Sequence, residues 1–165
     1  MTQQNEPCAA RPLVRLALEG EEEAFVELAR RSAAEGSVVD RFNEDRCRET
    51  FRRYIDDGDF IVFVAEHERE LVGFSLATWE PNALSDGFYA EQRVLYVSPE
   101  QLGSGATEGL IKALIDRVRQ PGVGEIYVTL ATAKIDAREI SFMREIGFEP
   151  AGTTFVRPAP IAEDA

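Results

Sequence analysis

One stretch, "LYVSPEQLGSGATEGL" from Leu95 to Leu110, limits the possible folds more than any other part of the chain. It reads as an apolar strand, a polar loop carrying Gly103 and Gly105, and the opening of a helix. Backbone amides at a helix start have no intrahelical acceptors, and the helix dipole adds positive potential there. The two glycines remove side chains that would hold an anion away from those amides, so a phosphate is a natural guest; a tight strand-to-helix turn would use the same glycines.

The remaining pattern places this unit late in a mixed α/β chain. "LVRLAL" alternates and predicts a strand over Leu13 to Leu18. A helix follows with Ala24, Phe25, Leu28 and Ala29 on one face, stopping at Gly36; the glutamates at its start suit the positive helix end. Asn43 is placed to cap a second helix whose apolar stripe is Cys47, Phe51, Tyr54 and Ile55, ended by Gly58. "FIVFVAEHERELVGFSLATW" predicts a β-hairpin with His67 near its turn, and "EPNALSDGFYA" a loop before a fourth strand, "EQRVLYV". After the glycine loop come a buried helix, a break at "PGVG" and a fifth strand, "EIYVTL". A last helix follows, with Asp136 and Glu139 as a capping box and Gly147 as its stop, and then a final strand, "TTFVR". The order is β, α, α, β, β, β, α, β, α, β, with one strand-helix-strand crossover.

Composition removes several functions. With 165 residues, 44% apolar and 29% charged, the chain fits one domain, expected over residues 12–157 between a disordered tail at 1–11 and a tail at 158–165. No run is apolar for long enough to cross a membrane, and "MTQQNEPCAARP" is not a basic segment followed by an apolar one, so a cytoplasmic protein without membrane contact is expected. Cys8, Cys47 and a single histidine assemble neither a disulfide framework nor a metal site. A net charge of −12 argues against nucleic acid and suits a cationic small substrate.

Three kinds of phosphate loop compete for residues 97–107. A P-loop needs a lysine directly after its glycine, whereas Gly105 is followed by Ala106 and Thr107. "GSGATEG" is a GxGxxxG, but five residues separate it from Val97, and "EIYVTLATA" ends without an acidic residue for a ribose. Taken whole, Val97, Pro99 and the glycines resemble the coenzyme-A motif of the GNAT superfamily of acyl-CoA-dependent N-acetyltransferases, roughly V-x-P-x-x-R/Q-G-x-G-x-G/A. "DAREISFMREIGFEPAG" echoes the family's second signature, an Asn before a helix ending Y-x-x-x-G-F. Four departures stand out. Leu102 occupies the Arg/Gln position and Thr107 the last small one; Asp136 replaces the Asn, and Met143 the tyrosine that usually protonates the leaving sulfur.

The resemblance implies a GNAT-like, mostly antiparallel twisted sheet of six to seven strands flanked by four helices. It implies an N-acetyltransferase, with acetyl-CoA as cosubstrate and no metal, acting on a primary amine of a small molecule or peptide by direct attack in a ternary complex. The pantetheine amides would bond the backbone of Leu95, Tyr96 and Val97, and a backbone N–H near Tyr96 or Val97 would hold the oxyanion. The pyrophosphate would lie on the loop of Leu102, Gly103, Ser104, Gly105, Ala106 and Thr107, with Asp136 at the last helix completing the cofactor site. Glu91, read at the start of the fourth strand and sharing a face with Arg93, Leu95 and Val97, is the expected general base; Glu80 and Asp86 are weaker candidates to grip a cationic acceptor. The departures motivate an alternative of another class, a degenerate GNAT fold that works through a protein partner without catalysis. Pairing of two chains through sheet edges is an arrangement the pattern allows.

Overall fold

The β-branched and aromatic runs form strands because their side chains pack well on a pleated, half-buried surface. In the computed structural model, which describes residues 11–35, 42–58, 60–119, 123–129 and 137–152, these strands are β1 (Leu13–Leu16), β2 (Phe60–His67), β3 (Glu70–Pro81), β4 (Phe88–Val97) and β5 (Val123–Val128). The helices are α1 (Glu22–Ala34), α2 (Glu44–Asp56), α3 (Ala106–Val118) and α4 (Ala137–Glu145), with a short 3-10 turn at Pro99–Gln101. The strands lie in one sheet in the order β1-β2-β3-β4-β5, antiparallel up to β4 and parallel between β4 and β5. Among the described residues the sheet thus has five strands rather than six to seven, and the expected last strand at 153–157 lies outside them.

Two regions have emerged by contact, residues 1–134 and 135–165. In the second, α4 ends as its glycine predicts: Gly147 takes φ +92°, and the amides of Gly147 and Phe148 donate to the carbonyls of Arg144 and Met143 at 3.0 and 2.9 Å. Asp136 and the side chain of Glu139 lie outside the described residues, and with them the expected capping box.

Within the first region the sheet carries an apolar cluster on each face. Ile61, Phe63, Ala65, Ala77, Ala90 and Val97 pack with Ala106, Leu110 and Leu114 of α3, while Val62, Val64, Phe74 and Tyr96 pack with Phe25, Leu28 and Phe51 of α1 and α2. The second cluster is bound by ring contacts, Phe25 lying 5.2 Å from Phe51 and 5.0 Å from Phe74 between centroids. Asn43 caps α2 as expected, its Oδ1 accepting from the Arg46 amide at 2.9 Å, and the stripe of Cys47, Phe51, Tyr54 and Ile55 faces the sheet. On α1 the buried face is Phe25, Val26 and Leu28, and Ala24 is exposed, a rotation of the expected stripe.

The outer sides of α1 and α2 are joined by ion pairs. Arg48 lies 2.9 Å from Glu23 and 2.6 Å from Glu44, Arg52 lies 2.9 Å from Glu22, and Arg30 reaches Glu44 at 2.6 Å and Glu27 on its own helix. Between β2 and β3, Glu68 and Arg69 take φ of 51° and 70°, a two-residue turn of the twist that suits a hairpin. The loop between β3 and β4 is shorter than expected, confined to residues 82–87, because Asn82 closes it: its amide donates to Gly87 O at 2.9 Å and its Oδ1 accepts from Leu84 N at 2.9 Å. Glu91 therefore sits in mid-strand rather than at a strand start.

Two stability predictions follow from close contacts. A Cβ on Gly73 would stand 2.8 Å from the backbone oxygen of Tyr96, so Gly73→Ala is expected to cost about 1–3 kcal/mol in chemical unfolding despite alanine's better strand entropy. Glu21 accepts from Arg15 at 3.0 and 2.7 Å and from the Leu18 amide at 2.8 Å, and the Arg15 guanidinium chiefly holds its carboxyl below the ordinary 4.5. A lowered folded pKa gives stability that is full above 4.5 and lost as pH falls through the folded value. Arg15→Leu is expected to flatten that acid limb in melting curves recorded from pH 6 downwards, a window set by the roughly neutral-to-acid span over which carboxylates protonate.

Candidate functional site

The site grows from the way β4 loses one neighbour. Residues Phe88 to Gln92 pair with Val123 to Val128 of β5, and from Arg93 to Val97 the strand has no partner on that side among the described residues. Its β3 ladder continues throughout, so this half of β4 is held rigidly while one row of backbone groups stays open. The open half contains Leu95, Tyr96 and Val97, whose backbone was expected to receive the pantetheine amides.

A bulge sets which way the side chains point. Leu76 pairs with Val94 and Ala77 with Gln92, leaving Arg93 as an extra residue. Ala90 faces the α3 cluster, and after the bulge Leu95 and Val97 return to that face, whereas Val94 and Tyr96 join the α1/α2 cluster. By alternation, Glu91 lies opposite Ala90 and so belongs with Val94 and Tyr96. The expected common face of Glu91, Leu95 and Val97 is thereby corrected: strict period two fails across the extra residue.

On this α1/α2 face Arg93 organises a polar group. Its Nη1 stands 3.1 Å from Glu91 Oε2, its Nη2 donates to Glu80 Oε1 at 3.0 Å, and its Nε donates to Thr78 Oγ1 at 3.3 Å. Glu91 Oε1 has no partner among the described residues. Asp86, in the exposed loop, takes no part in this cluster. Beside it, a cleft of about 200 Å³ opens between the helices and the sheet, with Leu76 and Val94 at the bulge as floor and Phe25, Phe42, Cys47 and Phe74 among its walls. Burial pushes the Cys47 thiol up to about 11, so it lines the cleft as a neutral group. The Tyr96 phenol is engaged elsewhere: it donates to Glu35 Oε1 at 3.0 Å, and burial with that carboxylate raises it to about 12.

The glycine loop closes the other end of β4. Ser98 anchors it, its amide and Oγ both donating to Val72 O at 2.8 Å. Gly103 and Gly105 take φ of +82° and +90°, the left-handed region that favours glycine, and Gly105 caps α3 without a side-chain bond. A Cβ on Gly103 would meet no atom within 4 Å, so open space lies over the loop. The amides of Gly103, Gly105 and Thr107 have no acceptor among the described residues, and the Ala106 amide has only Ser104 Oγ, at 3.4 Å. Leu102 is 60% exposed and therefore does not plug the loop. These unpaired amides at a helix start fit a pyrophosphate. The pieces assembled along one strand are thus Glu91, the open edge at Leu95, Tyr96 and Val97, and the loop from Leu102 to Thr107. Asp136 lies outside the described residues, and Met143 lies on α4, in the second region. Sequence reading missed Gln92, Thr78, the organising role of Arg93 and the Cys47 cleft; only the β-branched and aromatic character of the cleft's walls was visible there. Among the described residues no group of three or more His, Cys, Asp or Glu is placed to hold a metal, and no helix is long and apolar enough to cross a membrane.

The model of the acetyltransferase (GNAT) family matches residues 23–148. No curated protein matches the chain significantly. Solved structures that resemble it include glucosamine-6-phosphate N-acetyltransferase from Arabidopsis thaliana, with 14% identity and a TM-score of 0.70, covering 90% of this chain and 99% of that one. An aminoglycoside acetyltransferase from an uncultured soil metagenomic sample matches with 20% identity and a TM-score of 0.68, covering 90% and 96%. A predicted acetyltransferase with acetyl-CoA from Clostridium acetobutylicum matches with 13% identity and a TM-score of 0.68, covering 89% and 96%. At these identities the likeness establishes the fold.

Gly105→Val is expected to weaken coenzyme A binding about tenfold or more, because a branched side chain at φ +90° both strains the loop and covers its amides. Isothermal calorimetry, with circular dichroism to verify that the fold is kept, measures the effect.

Proposed function

The chain belongs to the GNAT acetyltransferase family, and from that premise we propose that it is an N-acetyltransferase that moves an acetyl group from acetyl-CoA to a primary amine by direct attack in a ternary complex. The observation that carries this reading is the open half of β4, with a cradle of unpaired amides at one end and a carboxylate beside an apolar cleft at the other.

The loop from Leu102 to Thr107 binds the pyrophosphate through its amides, and the backbone of Leu95, Tyr96 and Val97 takes the pantetheine amides, fixing the thioester near the bulge. The cleft walls receive the body of the acceptor, which suits a primary amine on a small molecule or peptide residue with an apolar part. Glu80 and Glu91 supply negative charge where the ammonium arrives.

Glu91 is the general base. Arg93 holds its Oε2, leaving Oε1 to take the proton, without which the nitrogen has no lone pair for attack. A backbone N–H near Tyr96 or Val97 stabilises the oxyanion as the carbonyl becomes tetrahedral. When the carbon–sulfur bond breaks, the sulfur leaves as a thiolate; with a thiol pKa of about 8.5, solvent protonates it near neutral pH, so Met143 in place of a tyrosine is compatible with turnover.

Glu91→Gln tests the assignment. Acetylation of an amine panel, followed by release of free thiol, is expected to show kcat/KM reduced by about 10² to 10⁴ and the acid limb of the pH profile lost, with acetyl-CoA affinity retained. Unchanged turnover across pH would remove Glu91 from the mechanism.

A further inference from the structure

Gln92 occupies the last rung before β4 and β5 part. It pairs with Ala77 on one side and Val128 on the other, and its side chain is 2% exposed. Its Nε2 donates to the carbonyl of Thr129, the first residue beyond the β5 ladder, at 3.5 Å, so the carboxamide spans the point of divergence. Its Oε1 is fully buried and has no hydrogen-bond partner among the described residues.

That combination is costly. A buried amide oxygen left without a donor destabilises a fold, and an apolar side chain of similar volume, such as methionine, would fill the same space without that loss. The oxygen is the only buried side-chain polar atom left unsatisfied among the described residues. It also stands at the vertex of the same opening whose far end is the glycine cradle. A ligand whose phosphates rest on that cradle and whose arm follows the open edge of β4 brings its thioester end toward this vertex, together with the secondary amide next to the sulfur.

We propose that the Gln92 carboxamide is a positioning group for the acyl donor: Oε1 accepts the pantetheine amide N–H nearest the thioester while Nε2 stays on Thr129. This rests on the acetyl-CoA reading above and adds a side-chain contact to the backbone ones. Gln92 thereby fixes how far the thioester advances toward the bulge at Arg93, and an acceptor without a partner among the described residues is satisfied on binding.

The test compares the full chain with its Gln92→Met and Gln92→Leu variants. Calorimetry is run with coenzyme A, with acetyl-CoA and with adenosine 3′,5′-bisphosphate, which lacks the pantetheine arm, and thermal melting is recorded without ligand. The expected result is about fivefold weaker binding of coenzyme A and acetyl-CoA, the loss of one neutral hydrogen bond, with bisphosphate binding unchanged and a melting temperature equal to or above that of the parent. A variant that is more stable yet binds the pantetheine-bearing ligands less tightly is a signature that a purely structural glutamine would not give. Unchanged coenzyme A affinity, an equal loss for the bisphosphate, or a lower melting temperature in both variants would each overturn the assignment of Gln92. Absence of coenzyme A binding by the parent chain itself would instead sink the acetyl-CoA reading and this proposal together, so the two failures are distinguishable.

Discussion

The divergence of β4 from β5 is the constraint on which the rest depends. A parallel ladder that stops at Gln92 leaves five residues of β4 paired on one side only among the described residues, and an unsupported strand end would fray without other restraint. The support comes from β3, whose pairing runs the whole length of β4, and from Ser98, which ties the strand's exit to Val72 twice. The extra residue at Arg93 adds local twist at the place where the two strands separate. Because of it, the alternation of side chains between the two cores shifts by one residue while the β3 ladder goes on.

Polarity follows the same line. Most buried residues are apolar, and the buried polar side chains of the sheet, Ser75, Thr78, Gln92 and Ser98, lie on β3, on β4 or just past its end. Thr78 accepts from Arg93 and Ser98 donates to Val72, so each stands against a group the site uses or against the start of the glycine loop. A domain of this size has little stability to spare, and concentrating the sheet's polar burial along the β3–β4 pair confines the cost to the segment that handles a ligand.

The element order and most helix faces were legible in the sequence because they rest on local chemistry: Asn43 as a cap, Gly58 and Gly147 as stops, and the apolar stripe of α2. The glycine loop was legible because left-handed backbone at Gly103 and Gly105 has few other residues that suit it. What escaped depended on long-range register. Nothing within "EQRVLYV" marks Arg93 as the extra residue, since the shift is fixed by how β3 and β4 meet, and so the face of Glu91 was misassigned. The short loop at 82–87 escaped for a related reason, since turn-forming residues at its edges were drawn into the ladder by pairing of Glu80 with Tyr89 and Pro81 with Phe88.

The arginine–glutamate lattice across α1 and α2 has a consequence for how the cleft behaves in different media. Arg48 alone stands within 4 Å of Glu22, Glu23, Glu44 and Asp45, and Arg30 and Arg52 extend the web across the pair. These groups reach solvent to differing degrees, Arg48 and Glu22 least and Asp45 and Glu23 most, and dissolved salt screens such attractions over about 8 Å at physiological strength and more tightly above it. The helices they join also carry Phe25 and Cys47 into the cleft. The clamp holding the cleft's outer walls is thus ionic while its base is apolar, so salinity and temperature act on the two in different ways: added electrolyte loosens the outer seam and leaves the aliphatic floor in place.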